Sequence, residues 1–144
     1  MNKFNPNELA TTTASIPDDT EYLGDIKINH SVVASIVRLA ALEIPGVTSI
    51  GSSLVEGITE IFSKKESDRG VRISEDESNN YLIEVRVILK FGVELAKIAF
   101  QIQQNVKQKV EHMTLHKVAK VDVIIDGIRV DDPKQKAKLP DQDL

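Results

Sequence analysis

The sequence predicts an α+β fold: a two-layer sandwich in the order β-α-β-β-α-β, with helices on one face of a four-stranded mixed or antiparallel sheet. Three observations point there. Tyr81 to Phe91 alternates between apolar and polar residues, the period of a strand with one covered face. Val93 to about Met113 repeats apolar residues at every third or fourth position, and Val32 to about Ile44 does so over a shorter span. A succession of strands and helices of this kind closes into one sheet with helices packed on it, and ferredoxin-like order is one arrangement it allows.

Leu23 to Ile28 reads as a first short strand with Ile26 and Ile28 on one side. Asn29-His30-Ser31 follows, where Asn29 or Ser31 can cap a helix by accepting a backbone N–H bond. In the helix, Val33, Ile36, Val37, Ala40 and Ile44 form the buried stripe, and Pro45-Gly46 ends it. The stretch from Val47 to Gly70 is the loosest, with Gly51, Gly57, Gly70 and several serines. Within it Leu54, Ile58, Ile61 and Phe62 recur at helical intervals, and Lys64 to Arg69 makes a charged loop.

Val71 to Ser74 and Tyr81 to Phe91 flank Glu75-Asp76-Glu77-Ser78-Asn79-Asn80, a connection rich in turn formers, so the pair reads as a hairpin. Tyr81, Ile83, Val85, Val87, Leu89 and Phe91 are expected inside; Leu82, Glu84, Arg86, Ile88 and Lys90 fall on the outer face. Gly92 breaks the strand. The main helix then buries Leu95, Ile98, Ala99, Ile102, Val106, Val110 and Met113. Glu94 at its positive end and Lys117 past its negative end both have the favourable sign. Ala119, Val121, Val123 and Ile125 are expected inside the last strand, with Val118 and Ile124 outside, before Asp126-Gly127 interrupts it.

Composition narrows the function classes. At 144 residues and 41% apolar content, one domain is the natural expectation: a domain at 22–130, a flexible leader at 1–21 and a flexible tail at 131–144. A formal charge of -4 and a pI near 5.4 provide no general attraction for phosphate backbones, and no basic patch stands out, so nucleic acid is not an expected partner. The absence of cysteine removes disulfides, thiol nucleophiles and thiolate zinc sites together. Met1 to Glu21 has only Lys3 as a cation and no apolar run of secretory length, and no window reaches the roughly 18 apolar residues of a membrane span. Direct membrane insertion is therefore not expected.

No constellation assembles a reaction. His112 and His116 are four apart near a helix end, but no third ligand accompanies them, so both read as helix-end residues rather than a metal site. His30 beside Ser31 lacks the glycine-flanked elbow of a nucleophilic serine and reads as part of a helix start. Gly51-Ser52-Ser53-Leu54-Val55-Glu56-Gly57 lacks the Lys-Ser/Thr of a phosphate loop. What remains are surfaces. Phe100 lies on the opposite side of the wheel from the buried stripe, near Val93 and Ala96, where a subunit or partner can cover it. Leu82, Arg86, Ile88 and Ile124 make an outer sheet face too apolar for plain solvation and too charged for a core.

Several segments, taken in order, resemble the bacterial alkaline-shock and general-stress protein family, also called envelope stress response proteins. They are Gly24-Asp25-Ile26-Lys27-Ile28, Ala40-Ala41-Leu42-Glu43-Ile44-Pro45-Gly46-Val47, Gly70-Val71-Arg72-Ile73, Val93-Glu94-Leu95-Ala96-Lys97-Ile98-Ala99 and Ile102-Gln103-Gln104-Asn105-Val106-Lys107. The likeness covers about Leu23 to Val130. It implies a small non-enzymatic cytoplasmic protein, peripheral at the inner face of the cell membrane, that self-associates and binds a membrane-anchored partner. It implies no cofactor, no metal and no catalytic residue. Phe100 stands where the family usually carries a polar residue. The alternative reading is a small-molecule-sensing regulatory domain in which the 47–70 segment closes as a lid over the sheet.

Overall fold

The computed structural model describes the strand Thr11–Ala14 and residues 21–51 and 69–131. Along the chain run β1 (Thr11–Ala14), β2 (Ile26–Asn29), α1 (His30–Leu42), β3 (Val47–Ile50), β4 (Val71–Glu75), β5 (Tyr81–Lys90), α2 (Leu95–Thr114) and β6 (Val118–Arg129). The fold is α+β, a four-stranded mixed sheet with both helices on one face, as the sequence predicts.

β5 is the spine of the sheet, with its inner residues Tyr81, Ile83, Val85, Val87 and Leu89 all buried. β4 pairs antiparallel with its first half (Val71 opposite Val85) and β3 antiparallel with its second half (Ile50 opposite Val87), so the two lie end to end along one edge. β6 runs parallel along the other edge, joined through the α2 crossover. The hairpin turn closes as read: the Asp76 carboxylate accepts from the Ser78 and Asn80 amides, and Asn79 takes the left-handed conformation at φ 66°. The Asn80 amide is the main reason the Asp76 carboxyl is held below the usual carboxylate range.

α1 is capped by Asn29, whose side chain accepts from the Ser31 amide at 2.8 Å. Val33, Ala34, Val37, Ala40 and Ala41 are buried beneath it, with Ile36 and Ile44 packed alongside. α2 buries Ile102, Val106, Val110 and Thr114 and packs Leu95 and Ile98 against the same core. The helices are bolted together by Asn105, whose amide nitrogen donates to the Ala40 carbonyl and to Glu43, both at 2.8 Å. Lys109 adds an ion pair to Glu43, and these two contacts, Asn105 first, hold the Glu43 carboxyl low.

The structure corrects the sequence reading at several places. The strand read at Leu23 to Ile28 is β2, but it pairs with β1, inside the stretch taken as a leader, and not with the main sheet. Its place among the four is taken by β3, read as part of a loose segment because four residues between turn glycines carry too little periodicity. Phe91 lies past the end of β5 and is exposed. Met113 is exposed too: Thr114 takes the inner position, its hydroxyl donating to the Val110 carbonyl at 2.7 Å. In β6, a bulge between the positions facing Tyr81 and Leu82 leaves Ala119 exposed and brings Val118 into the core. The helix read over Leu54 to Phe62, most of the charged loop and the tail beyond Asp131 lie outside the described residues.

α2 also reaches over β6. The Glu111 carboxylate accepts from the Val118 amide at 2.9 Å and from Lys107 at 2.8 Å, and Lys107 donates onward to the Val118 carbonyl. These donors, Lys107 first, hold the Glu111 carboxyl below the usual carboxylate range. A depressed carboxyl stabilises the fold above its unfolded pKa, and that contribution is lost as pH falls through the folded one. Glu111→Gln should therefore cost about 1 kcal/mol at neutral pH, since the carboxylate is partly wet. The variant should also lose less than the native chain between about pH 5 and 3. Urea midpoints across that range check both.

Candidate functional site

The predicted surface residues end up in different environments. Phe100 projects from α2 with 55% of its surface exposed, and Ala96 one turn earlier is exposed with it. Val93 is half-buried and packs against the core. On the outer sheet face, Leu82 is half-buried and, with Arg72, Ser74, Glu84, Lys120 and Asp122, lines a hollow of about 170 Å³. Arg86 stretches one guanidinium nitrogen across both Asp126 oxygens, each at 3.2 Å, and approaches Glu84 at 3.8 Å. Ile124 is half-buried opposite Arg86. Ile88 is a correction: at 2% exposed it is buried, unlike Leu82, Glu84 and Arg86 on the same face of β5, and it offers no free surface.

Arg86 thus uses its charge within the sheet. Asp126 is the extra residue of a second β6 bulge, between the partners of Val87 and Ile88, and the bulge aims its carboxylate at Arg86. A partly exposed pair of this kind contributes on the order of 0–1 kcal/mol.

The fold also gathers titratable and aromatic groups that sequence reading kept apart. His30 Nε2 meets the Glu75 carboxylate at 2.8 Å, which makes it a tie between α1 and β4 rather than part of the cap. The Tyr81 ring stands edge-on to His30, with centroids 6.1 Å apart, and tilted against His116 at 4.7 Å. His116 Nε2 also contacts the Asn79 carbonyl in the β4–β5 turn. This cluster ties α1, the β4–β5 turn and the end of α2 together. Its members lie far apart in the chain, so no local motif signals it. His116 is engaged here rather than with His112, and among the described residues no group of three or more His, Cys, Asp or Glu could hold a metal ion.

The polar residues of the α2 motif behave in the same way. Gln103 donates to the Val121 carbonyl at 2.9 Å, Asn105 to Ala40 and Lys107 to Val118. The pattern that carries the family resemblance is therefore bonded into the fold. Of the segment read as a lid, Val47–Ile50 is a paired strand and 52–68 lies outside the described residues. Among the described residues, no helix is long and apolar enough to cross a membrane.

The chain is 28% identical over 125 residues to YqhY of Bacillus subtilis, covering 87% of this chain and 91% of that protein. It is 30% identical over 121 residues to YloU of the same organism, covering 83% and 99%. Among solved structures it is similar to the MamM CTD in its copper form, with a TM-score of 0.42 and 13% identity over 70% of this chain and 88% of that one. The profile of the alkaline-shock protein 23 family matches residues 18–130, which takes in both helices and the whole four-stranded sheet. The chain belongs to that family, whose function is cell envelope-related.

Proposed function

We propose that this protein is a non-enzymatic structural and interaction protein of the envelope stress response, which self-associates and binds a membrane-associated partner from the cytoplasmic side. The observation that carries the reading is Phe100, a large aromatic side chain more than half exposed on a helix whose opposite face is fully packed. Single exposed apolar residues are common. This one is set beside exposed Ala96 and stands on the stripe of α2 that continues through Gln103, Lys107 and Glu111, next to β6. The polar and titratable groups that could have made a catalytic centre are instead bonded to one another and to the backbone.

The reading predicts oligomers that grow with protein concentration. Phe100→Glu should weaken them about tenfold or more, by placing a charge in an apolar contact, while the far-UV spectrum, and the melting temperature at concentrations where the native chain is monomeric, stay unchanged. Sedimentation velocity from low to high micromolar concentration checks this, together with recovery in membrane fractions. A strictly monomeric native chain that is absent from membranes would overturn the reading.

A further inference from the structure

We infer that the self-association contact is the outer edge of β6 paired antiparallel with β6 of a second copy, in one register, with the two Phe100 rings beside the seam. The inference rests on the self-association reading and specifies where and how it happens.

β6 is a twelve-residue strand that pairs with β5 alone among the described residues. The Lys117 and Arg129 carbonyls accept from Tyr81 and Phe91, so these residues face β5. Alternation and the two bulges then turn the N–H and C=O groups of Val118, Val121, Val123, Ile125, Ile128 and Val130 to the open edge. The side chains of α2 occupy the start of that edge: Glu111 and Lys107 at Val118, and Gln103 at Val121. Among the described residues these bonds stop there. From Val123 onward the residues whose backbone faces the open edge, Val123, Ile125, Ile128 and Val130, are all apolar β formers, with Ile128 45% and Val130 60% exposed, the kind of edge that recruits another strand.

Charge and face select the register. Placing Asp122 opposite Arg129 of a second copy puts Lys120 opposite Asp131, Val123 opposite Ile128 and Val121 opposite Val130. Each pair shares a face: Lys120, Asp122 and Arg129 align with the outer-face residues Leu82, Glu84 and Lys90 of β5. The bulge at Asp126 makes this possible, because without it residues seven apart would point to opposite faces. Ile124 then lies over Gly127, which has no side chain to meet it. Moving the partner two residues one way puts Lys120 against Arg129, and moving it two the other way puts Asp122 against Asp131, so both neighbouring registers juxtapose like charges.

Phe100 fits the same contact. It lies three residues before Gln103 on the α2 stripe that leans over the edge, about 4.5 Å further along the helix. Because α2 runs antiparallel to β6, that level is one to two strand residues past Val121, beside Val123 and close to the two-fold axis between Ile125 and Asp126. The contact is isologous and closes as a dimer, leaving the outer sheet face of both copies as one continuous surface.

The chain has no cysteine, so introduced thiols report only on the chosen pair. Asp122→Cys with Arg129→Cys should crosslink to a covalent dimer under mild oxidation at least about tenfold faster than the off-register pair Lys120→Cys with Arg129→Cys. Residues directly opposite in a non-hydrogen-bonded antiparallel pair have Cα atoms roughly 4.5 Å apart, within the reach of a disulfide. Asp122→Arg or Arg129→Asp alone should weaken association about fivefold, and the two together should restore it. If the native chain associates in sedimentation but the two cysteine pairs crosslink equally or not at all, or the double charge swap fails to restore association, this contact is wrong while self-association stands. A monomeric native chain would remove both.

Discussion

Ile102→Ala should lower stability by about 2–5 kcal/mol, enough to bring the thermal midpoint down by roughly 10 °C or more. Ile102 has no exposed surface and sits in the core where α2 faces α1 and the sheet. Truncation removes its buried methylene and methyl groups and leaves a cavity that the surrounding valines, stiff at χ1, cannot fill. A domain of this size has about 5–15 kcal/mol in all, so the loss is a large share. Phe100→Glu, two residues earlier on the same helix, should change the stability of the monomer by less than about 0.5 kcal/mol, because more than half of its surface is already in water. Thermal and urea denaturation of the two variants side by side separates the face of α2 that makes the fold from the face assigned to association. Equal destabilisation by both would show that Phe100 is part of the packing.

Gly70→Ala should destabilise by about 2–4 kcal/mol, combining left-handed backbone strain with a steric clash. Gly70 has φ of 78°, and a Cβ there would lie 2.6 Å from both the Cα and N of Gly51. Those are backbone atoms and cannot rotate away. The contact matters because Gly51 and Gly70 close the junction at which β3 ends and β4 begins. The Gly51 amide donates to the Arg86 carbonyl at 2.8 Å, and the Arg86 amide donates to the Gly70 carbonyl at 2.8 Å. Pushing the glycines apart breaks at least one of these bonds at the centre of β5. Amide exchange at Arg86 should speed up along with the fall in urea midpoint, while the Asp76 turn keeps its protection. An unchanged midpoint would mean that the junction tolerates a wider spacing.

Periodicity made much of this legible. α1, α2 and β5 follow the pattern of their residues, because a helix or strand long enough to show its period declares which side is covered. Asn29 as cap and Asp76-Asn79 as turn were readable as local chemistry, where a side chain bonds to backbone two or four residues away. The outward position of Phe100 was readable in the same way.

The misreadings share a cause. Alternation along β6 puts Val118 outside, and the bulge that turns it inward is revealed only by pairing with β5. Nothing in four residues specifies a strand's partner, so the pattern of β2 does not exclude the main sheet and that of β3 does not announce its place there. Phe91 lies beyond the end of β5, where the chain turns away from the core, whereas Met113 is still inside α2 and loses the inner position to Thr114 because the buried stripe Ile102, Val106, Val110, Thr114 advances by four residues at each step. Among the candidate contacts, Ile88 carries the right pattern for a surface but is buried, which alternation along β5 alone does not reveal.

By itself the sequence determined the types of the long elements, the Asn29 cap and the Asp76 turn, the bulk of the core and the family, since all of these depend on contacts within a few residues or on the order of motifs. Tertiary structure alone decided which strands pair, where β6 shifts its face, and that His30, Glu75, Tyr81 and His116 meet. It also showed that Gln103, Asn105 and Lys107 are tied into the fold, leaving Phe100 and the far half of β6 open. The physical reason is that these side-chain contacts join residues 11 to 65 positions apart, brought together only by the turns and crossovers between elements, about which local propensity carries no information.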